Sequence, residues 1–215
     1  MEFALLGWPV DEPRLRLDYR RFSYAGKFVT GSTGIAVVRG EPPEKYESTT
    51  DSLPPLPDGL SESAFVDGIL AAVAFNADRT DSDTLWLRYL TVRTDLRGSG
   101  LELGPRLAAF ITDLAADEGY GTVRIAVNNV FSYHALFKSG FKYTGRRTGI
   151  AELVLERPTT EWADVSTATY QRGLDEFRER EGLSTGEREF LAAHESAAPP
   201  EAVDSGVSNP QRPSE

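Results

Sequence analysis

The stretch Val92-Arg93-Thr94-Asp95-Leu96-Arg97-Gly98-Ser99-Gly100-Leu101-Glu102-Leu103-Gly104-Pro105 joins an apolar strand to an amphipathic helix through a glycine-rich turn. The strand before it, Leu85-Trp86-Leu87-Arg88-Tyr89-Leu90-Thr91-Val92, is rich in β-branched, aromatic and long apolar residues. After it, Leu107, Phe110, Ile111, Leu114 and Ala115 recur at helical spacing, Pro105 suits a first turn, and Gly119 follows the end. Glycines at 98, 100 and 104 leave backbone N–H groups unobstructed, and a helix start adds about half a positive charge. Such a turn can hold a diphosphate without any catalytic chemistry.

Spacing separates the nucleotide-binding turns that look alike. A dinucleotide fingerprint needs G-x-G-x-x-G and an acidic residue about 20 positions on. Here Leu103 stands at the third glycine position, and the next strand, Thr122 to Asn128, runs into Asn128-Asn129. A P-loop needs Lys and then Ser or Thr after its last glycine, whereas Gly104 is followed by Pro105 and Arg106.

Arg97-Gly98-Ser99-Gly100 resembles the main motif of the GNAT superfamily of acyl-CoA-dependent N-acyltransferases, a strand, then Arg or Gln-x-x-Gly-x-Gly or Ala, then a helix. Position six is Glu102; with Leu101-Glu102 read as a two-residue insertion, Leu103-Gly104-Pro105-Arg106-Leu107 resumes the helix start. A second block is similar to the family's Asn…Gly-Phe segment: strand Thr122 to Asn128, Asn129, a short helix from about Ser132 to Ser139, then Gly140-Phe141. The resemblance covers residues 65–157.

That resemblance implies an α/β fold with a mixed, mostly antiparallel central sheet flanked by helices, its central strands splayed at the acyl-CoA site. It implies acetyl-CoA as acyl donor, a primary amine as acceptor, and no metal. Val92 would offer backbone groups to the pantetheine arm. Arg97, Gly98, Ser99, Gly100, Leu101, Leu103 and Gly104 would face the diphosphate, and Asn129 from the second block would also belong to the cofactor site. Family members often carry a Tyr four residues before the Gly of Gly-Phe to protonate the departing thiolate; here that position is Leu136, and the nearby candidates are Tyr133 and, second to it, His134. No general base is named: the strand 85–92 has no carboxylate, which leaves Asp83, Glu152 or a water chain. Each residue also has a plainer reading. The glycines suit a tight strand-to-helix connection, Asn129 a turn cap, and Tyr133 simple packing.

Charge gives an independent check. The chain carries 33 acidic and 23 basic residues, a net of −10. Residues 88–147 hold nine basic against five acidic side chains, +4, which leaves −14 elsewhere. A polyanion such as coenzyme A would find its positive surface there, while an acidic exterior speaks against nucleic acid as partner. Four lysines against 19 arginines, with abundant Asp and Glu, are similar to the composition of salt-accumulating halophiles such as haloarchaea. At molar salt the Debye length is about 3 Å, so the surplus acid is largely screened.

With no cysteine, disulfides and thiolate nucleophiles are excluded. His134 and His194 are far apart in sequence and lack metal-ligand spacing, and His134 reads as an exposed helix residue. The first 30 residues lack a basic start followed by an apolar run, and 18 consecutive apolar residues occur nowhere, so a soluble, cytoplasmic protein is expected with no membrane partner.

Organisation follows from the remaining patterns. A GNAT-like domain over 1–158 opens with two strands. Leu15, Leu17 and Tyr19 alternate with charged residues in the first, and Gly34-Ile35-Ala36-Val37-Val38 is the second. Residues 40–63 read as a long Pro-rich loop, departing from the family, which places helices there. Gly68 to Asn76 forms a hairpin with the strand 85–92 through Asp78–Asp83, and 141–146 and 150–156 form a last pair. Residues 159–195 read as a helical extension: Tyr170, Leu174 and Phe177 share a face, and Ser184-Thr185-Gly186-Glu187 has capping-box spacing. It packs on the domain or joins two subunits as a homodimer. Residues 196–215 read as a disordered acidic tail. Two other functional classes stay open: an acyl-CoA-binding or sensing module without turnover, and a partner-binding protein with a bare glycine turn.

Overall fold

A computed structural model of the chain describes residues 1–46, 53–163, 165–203 and 206. The strands are β1 (Glu2–Gly7), β2 (Gly34–Arg39), β3 (Ile69–Ala77), β4 (Thr84–Val92), β5 (Thr122–Val127), β6 (Lys142–Arg147) and β7 (Leu153–Pro158); the helices are α1 (Leu103–Asp117), α2 (Val130–Lys138), α3 (Thr167–Arg178) and α4 (Thr185–Ala193). The result is a mixed α/β fold whose seven-stranded, mostly antiparallel sheet has the order β1-β2-β3-β4-β5-β7-β6. The chain divides into two compact units, one of Met1–Asn76 with Leu87–Leu107, the other of Ala77–Trp86 with the chain from Ala108 onward.

In the first unit, β1 and β3 both pair antiparallel with β2. The runs Ile35–Val38 and Leu70–Phe75 are buried throughout, which explains their unbroken apolar character. Gly34 opens β2 because a Cβ there would lie 2.4 Å from the Phe75 ring. Leu15, Leu17, Phe22, Ala25 and Phe28 close this core against Ile35, Val37 and Ile69.

The first strand is not the one the alternation indicates. Leu15 and Leu17 are buried, but residues 12–18 belong to no strand. Their backbone bonds go to loops, Leu15 N to Phe28 O (2.8 Å) and Val66 N to Arg16 O (2.9 Å). An extended segment laid on a core alternates like a strand whether or not it joins a ladder. The true edge strand is Glu2–Gly7, half-buried and without a clear period.

In the second unit, β7 lies between β5 and β6, antiparallel to both. Tyr170, Gly173, Leu174 and Phe177 form the buried face of α3. The expected capping box holds α4: Glu187 N donates to Ser184 Oγ (3.3 Å) and Ser184 N to Glu187 Oε2 (2.9 Å). Val203 N donates to Lys138 O (2.6 Å); of the segment read as a tail, residues 204, 205 and 207–215 lie outside the described residues. Among the described residues, no helix is long and apolar enough to cross a membrane.

The turn between β3 and β4 is built on a buried carboxylate. Asp78 Oδ1 accepts from Thr80 N and Thr80 Oγ1 (both 2.8 Å), and Oδ2 accepts from Arg124 Nη1 (2.6 Å). Burial pushes the Asp78 pKa up, yet the Thr80 bonds and the Arg124 charge outweigh it and hold the carboxyl below its ordinary value. Its stabilisation is therefore complete above the unfolded value of about 3.9 and is lost as pH falls through the lower folded value. Asp78→Asn should cost about 1–3 kcal/mol at neutral pH, with the gap from the parent closing at acid pH; urea unfolding at both pH values measures it.

Candidate functional site

β4 delivers the chain to the glycine turn through a short 3₁₀ turn at Thr94–Leu96. From there the backbone visits the left-handed region three times, at Gly98 (φ 70°), Gly100 (φ 79°) and Glu102 (φ 51°). Glycine takes this conformation freely; any other residue pays about 1–2 kcal/mol. A Cβ added at Gly98 or Gly100 would meet nothing within 4 Å, so open space faces both. The first bond of α1 is Arg106 N to Glu102 O (2.9 Å). Leu103 and Gly104 thus sit in the first turn, where N–H groups have no intrahelical partner. Among the described residues, Gly100, Leu103 and Gly104 donate to no backbone carbonyl.

The remaining residues expected at the cradle divide into donors and supports. Leu101 N donates to Ser99 Oγ (3.3 Å), and the Leu103 side chain is buried. Gly104 belongs to helix packing: its Cβ would make ordinary contact with Val92 Cγ2 at 3.5 Å and Leu90 Cδ2 at 4.0 Å. Arg97 turns back on the scaffold, donating from Nε to Val92 O (3.1 Å) and from Nη2 to Ser23 Oγ (2.9 Å). One lone pair of the Val92 carbonyl is therefore taken.

Tyr46, which the sequence reading passed over, staples the turn. Its hydroxyl donates to Ser99 O (2.6 Å), and its own carbonyl accepts from Arg93 Nη2 (3.3 Å). Thr94 adds a second staple, donating from N (2.9 Å) and from Oγ1 (2.7 Å) to Arg21 O. A lone tyrosine in a proline-rich loop carries no periodic signal, so only the folded chain reveals it.

Asn129 and Tyr133 belong to the second unit. Asn129 is the N-cap of α2, its Oδ1 accepting from Ser132 N (2.8 Å), and its Nδ2 donates to Asn128 Oδ1 (3.2 Å). Tyr133 is fully buried, and its hydroxyl donates to Tyr170 O (3.0 Å). Its ring packs with Phe137, Tyr143, Tyr170 and Phe177 at centroid distances of 4.7–6.4 Å. Burial, with the neighbouring Tyr170 and Tyr143, raises its pKa far above the ordinary phenol value. The contact is so close that a Cβ on Gly173 would lie 2.1 Å from the Tyr133 hydroxyl. The ring contacts are packing interactions, and the hydroxyl donates to a backbone carbonyl.

Of the carboxylates left as base candidates, Asp83 accepts from Gly121 N (3.0 Å), and Glu152 Oε2 accepts from Thr148 Oγ1 (3.3 Å). His134 is half-buried rather than exposed, because the extension covers it: its Nδ1 lies 2.8 Å from Tyr170 Oη, and its ring is 5.2 Å from that of His194. The two histidines distant in sequence thus meet. Among the described residues no group of three or more His, Cys, Asp or Glu could hold a metal.

Much of the positive balance of residues 88–147 is spent on ion pairs. Arg93 binds Asp95 (2.8 Å), Arg124 binds Asp78 (2.6 Å), Arg147 binds Glu176 (3.0 Å), and Arg146 pairs with Glu156. Formal charge summed along the sequence overstates the field at the turn.

No family model matches the chain, and no curated protein matches it. Among solved structures it is similar to a nourseothricin acetyltransferase (16% identity, 74% of this chain and 98% of that one, TM-score 0.45). It is also similar to a putative N-acetyltransferase from Lactobacillus plantarum (13% identity, 74% and 97%, TM-score 0.47) and an N-acetyltransferase from Staphylococcus aureus Mu50 (17% identity, 59% and 68%, TM-score 0.40). Such distant likenesses leave the activity to be argued from the site itself.

The glycines should separate by substitution to alanine. Gly98→Ala and Gly100→Ala should each cost about 1–2 kcal/mol through backbone strain, while Gly104→Ala should be neutral or stabilising by up to about 1 kcal/mol through helix propensity. Gly173→Ala should lose about 1–3 kcal/mol by overpacking against Tyr133, despite the same propensity gain. Urea unfolding midpoints of the four variants check the series.

Proposed function

We propose that this chain is an N-acetyltransferase that moves an acetyl group from acetyl-CoA to a primary amine by direct attack, in the cytoplasm and at high salt. The observation that carries this reading is the left-handed glycine pair, with open space at both positions, just before the N-terminus of a 15-residue helix. A diphosphate would take its hydrogen bonds from the Gly100, Leu103 and Gly104 amides, supported by the helix dipole. Val92 would offer the pantetheine arm its remaining backbone capacity. The amine nitrogen would bond to the thioester carbon, the carbon–sulfur bond would break, and the amine would give up a proton while the thiolate gains one. Alignment alone supplies several kcal/mol of such a step, and a positioned proton donor adds about 10²–10⁴ in rate. We assign Tyr133 to packing and both proton transfers to water, since its hydroxyl is enclosed.

That same enclosure favours a second reading, an acyl-CoA-binding module with little or no turnover. The two share the cradle and differ in whether an amine is acetylated.

Calorimetric titration of acetyl-CoA and free coenzyme A in molar potassium chloride tests the shared part. Binding should be saturable and should fall at least tenfold in Gly100→Glu, which sets a carboxylate in the open space; absence of binding to the unaltered protein would end both readings. Glu102→Gly, which removes the acid from the helix N-cap, should tighten binding. Release of free thiol in the presence of a panel of amines then separates enzyme from sensor, and Tyr133→Phe should leave the pH profile of that release unchanged.

A further inference from the structure

The first unit holds a cavity of about 590 Å³ walled by the segment 18–22, the segment 62–69 and Arg93. That size lies within the range of small-molecule sites, about 300–1,000 Å³. Its wall is braced by Arg20, which does not line the cavity. The Arg20 guanidinium, only 4% exposed, donates to Asp18 Oδ2 (2.7 Å), to both oxygens of Glu62 (2.6 Å) and to Pro54 O (3.1 Å). Asp18 and Glu62 are thereby neutralised and fixed in place.

Two lining charges of opposite sign are left nearly unused. The Arg21 side chain is 18% exposed, and its single ion pair among the described residues is a long one, 3.8 Å from Nε to Asp18 Oδ2. Asp67 accepts, among the described residues, only from the adjacent Gly68 N (2.8 Å). Arg93, the other lining cation, is already held by Asp95. The lining also includes the apolar side chains of Phe22, Phe65 and Ile69. A simple anion would meet the carboxylate of Asp67 as well as Arg21, and a simple cation would meet Arg21 as well as Asp67. A molecule carrying both charges and an apolar body matches all three kinds of wall.

We infer that this cavity is a binding site for a zwitterionic amino acid with a large apolar side chain, its carboxylate on Arg21, its ammonium on Asp67 and its side chain against Phe22, Phe65 and Ile69. The site lies wholly within the first unit and stands whether or not the chain transfers acetyl groups.

L-phenylalanine is the probe, titrated into the full chain by calorimetry without acetyl-CoA. Saturable binding is expected, weakened at least tenfold for phenylalanine methyl ester, which lacks the carboxylate, and for N-acetylphenylalanine, which lacks the ammonium. Arg21→Met and Asp67→Asn should each weaken phenylalanine at least tenfold with the unfolding temperature nearly unchanged; the amide introduced by the second substitution retains an oxygen that can accept from Gly68. The blocked ligands test the same contacts without altering the protein, so a poorly folded variant does not decide the matter. Absence of saturable binding, binding indifferent to either blocked end, or binding unchanged in both variants would each overturn the assignment.

Discussion

A change of hand in the backbone between residues 98 and 102 governs what the first unit can present to a ligand. Left-handed φ values at Gly98, Gly100 and Glu102 swing the chain from the end of β4 into α1 within a few residues. They leave the Gly98 and Gly100 positions facing open space. Two of the three positions are glycine and carry no penalty; the third costs about 1–2 kcal/mol, which the surrounding structure must offset. The offset comes from staples made by side chains distant in sequence: Tyr46 on Ser99, Thr94 on Arg21, and Arg97 on Val92 and Ser23. The turn is therefore a tertiary structure and not a local motif. Loss of a staple would blur the amide positions before it altered the helix.

In the second unit the corresponding constraint is the phenol of Tyr133. A buried hydroxyl has to be hydrogen-bonded, since an unpaired one costs about 1–3 kcal/mol. Here the acceptor comes from α3, through the Tyr170 carbonyl, and Gly173 provides the space. The C-terminal helices are thus fitted to α2 atom by atom. Tyr170, raised to about 12 by burial, then reaches back to His134. A helix face that the resemblance turns toward chemistry is, in this chain, the face on which the extension is seated.

The legible parts of the sequence are those in which local signal and tertiary role coincide. β3, β4, α1 and β5 fall where periodicity places them, within one or two residues, because each buries a face whose period is its own. The α4 capping box is readable because its bonds span only three residues. Legibility fails where a long-range partner decides. Leu15 and Leu17 alternate without a ladder, since their partners are core side chains. Asn129 reads equally as a ligand contact or a cap until Ser132 N is seen 2.8 Å away. Tyr133 reads as a proton donor only while α3 is left out of account. Arginine counts fail for the same reason, because Arg124 and Arg147 are paired with acids whose positions the sequence does not reveal.

The staples also bear on how an anion could be held. Arg97, the cation of the motif, spends two of its donors on Val92 and Ser23. Glu102 brings a carboxylate to the helix N-cap, where it interacts favourably with the dipole and unfavourably with any phosphate beside it. A like-charge pair 4 Å apart near a protein surface is worth about 4 kcal/mol at an effective dielectric constant of 20, far above the 0.3–1 kcal/mol or so that a helix dipole typically returns. Under the proposed function, a diphosphate seated here would depend on the backbone amides of the turn and would have to stand clear of the Glu102 carboxylate. The acid in the glycine turn makes attraction by charge a poor basis for the proposed binding, which would instead rest on short-range hydrogen bonds from the backbone.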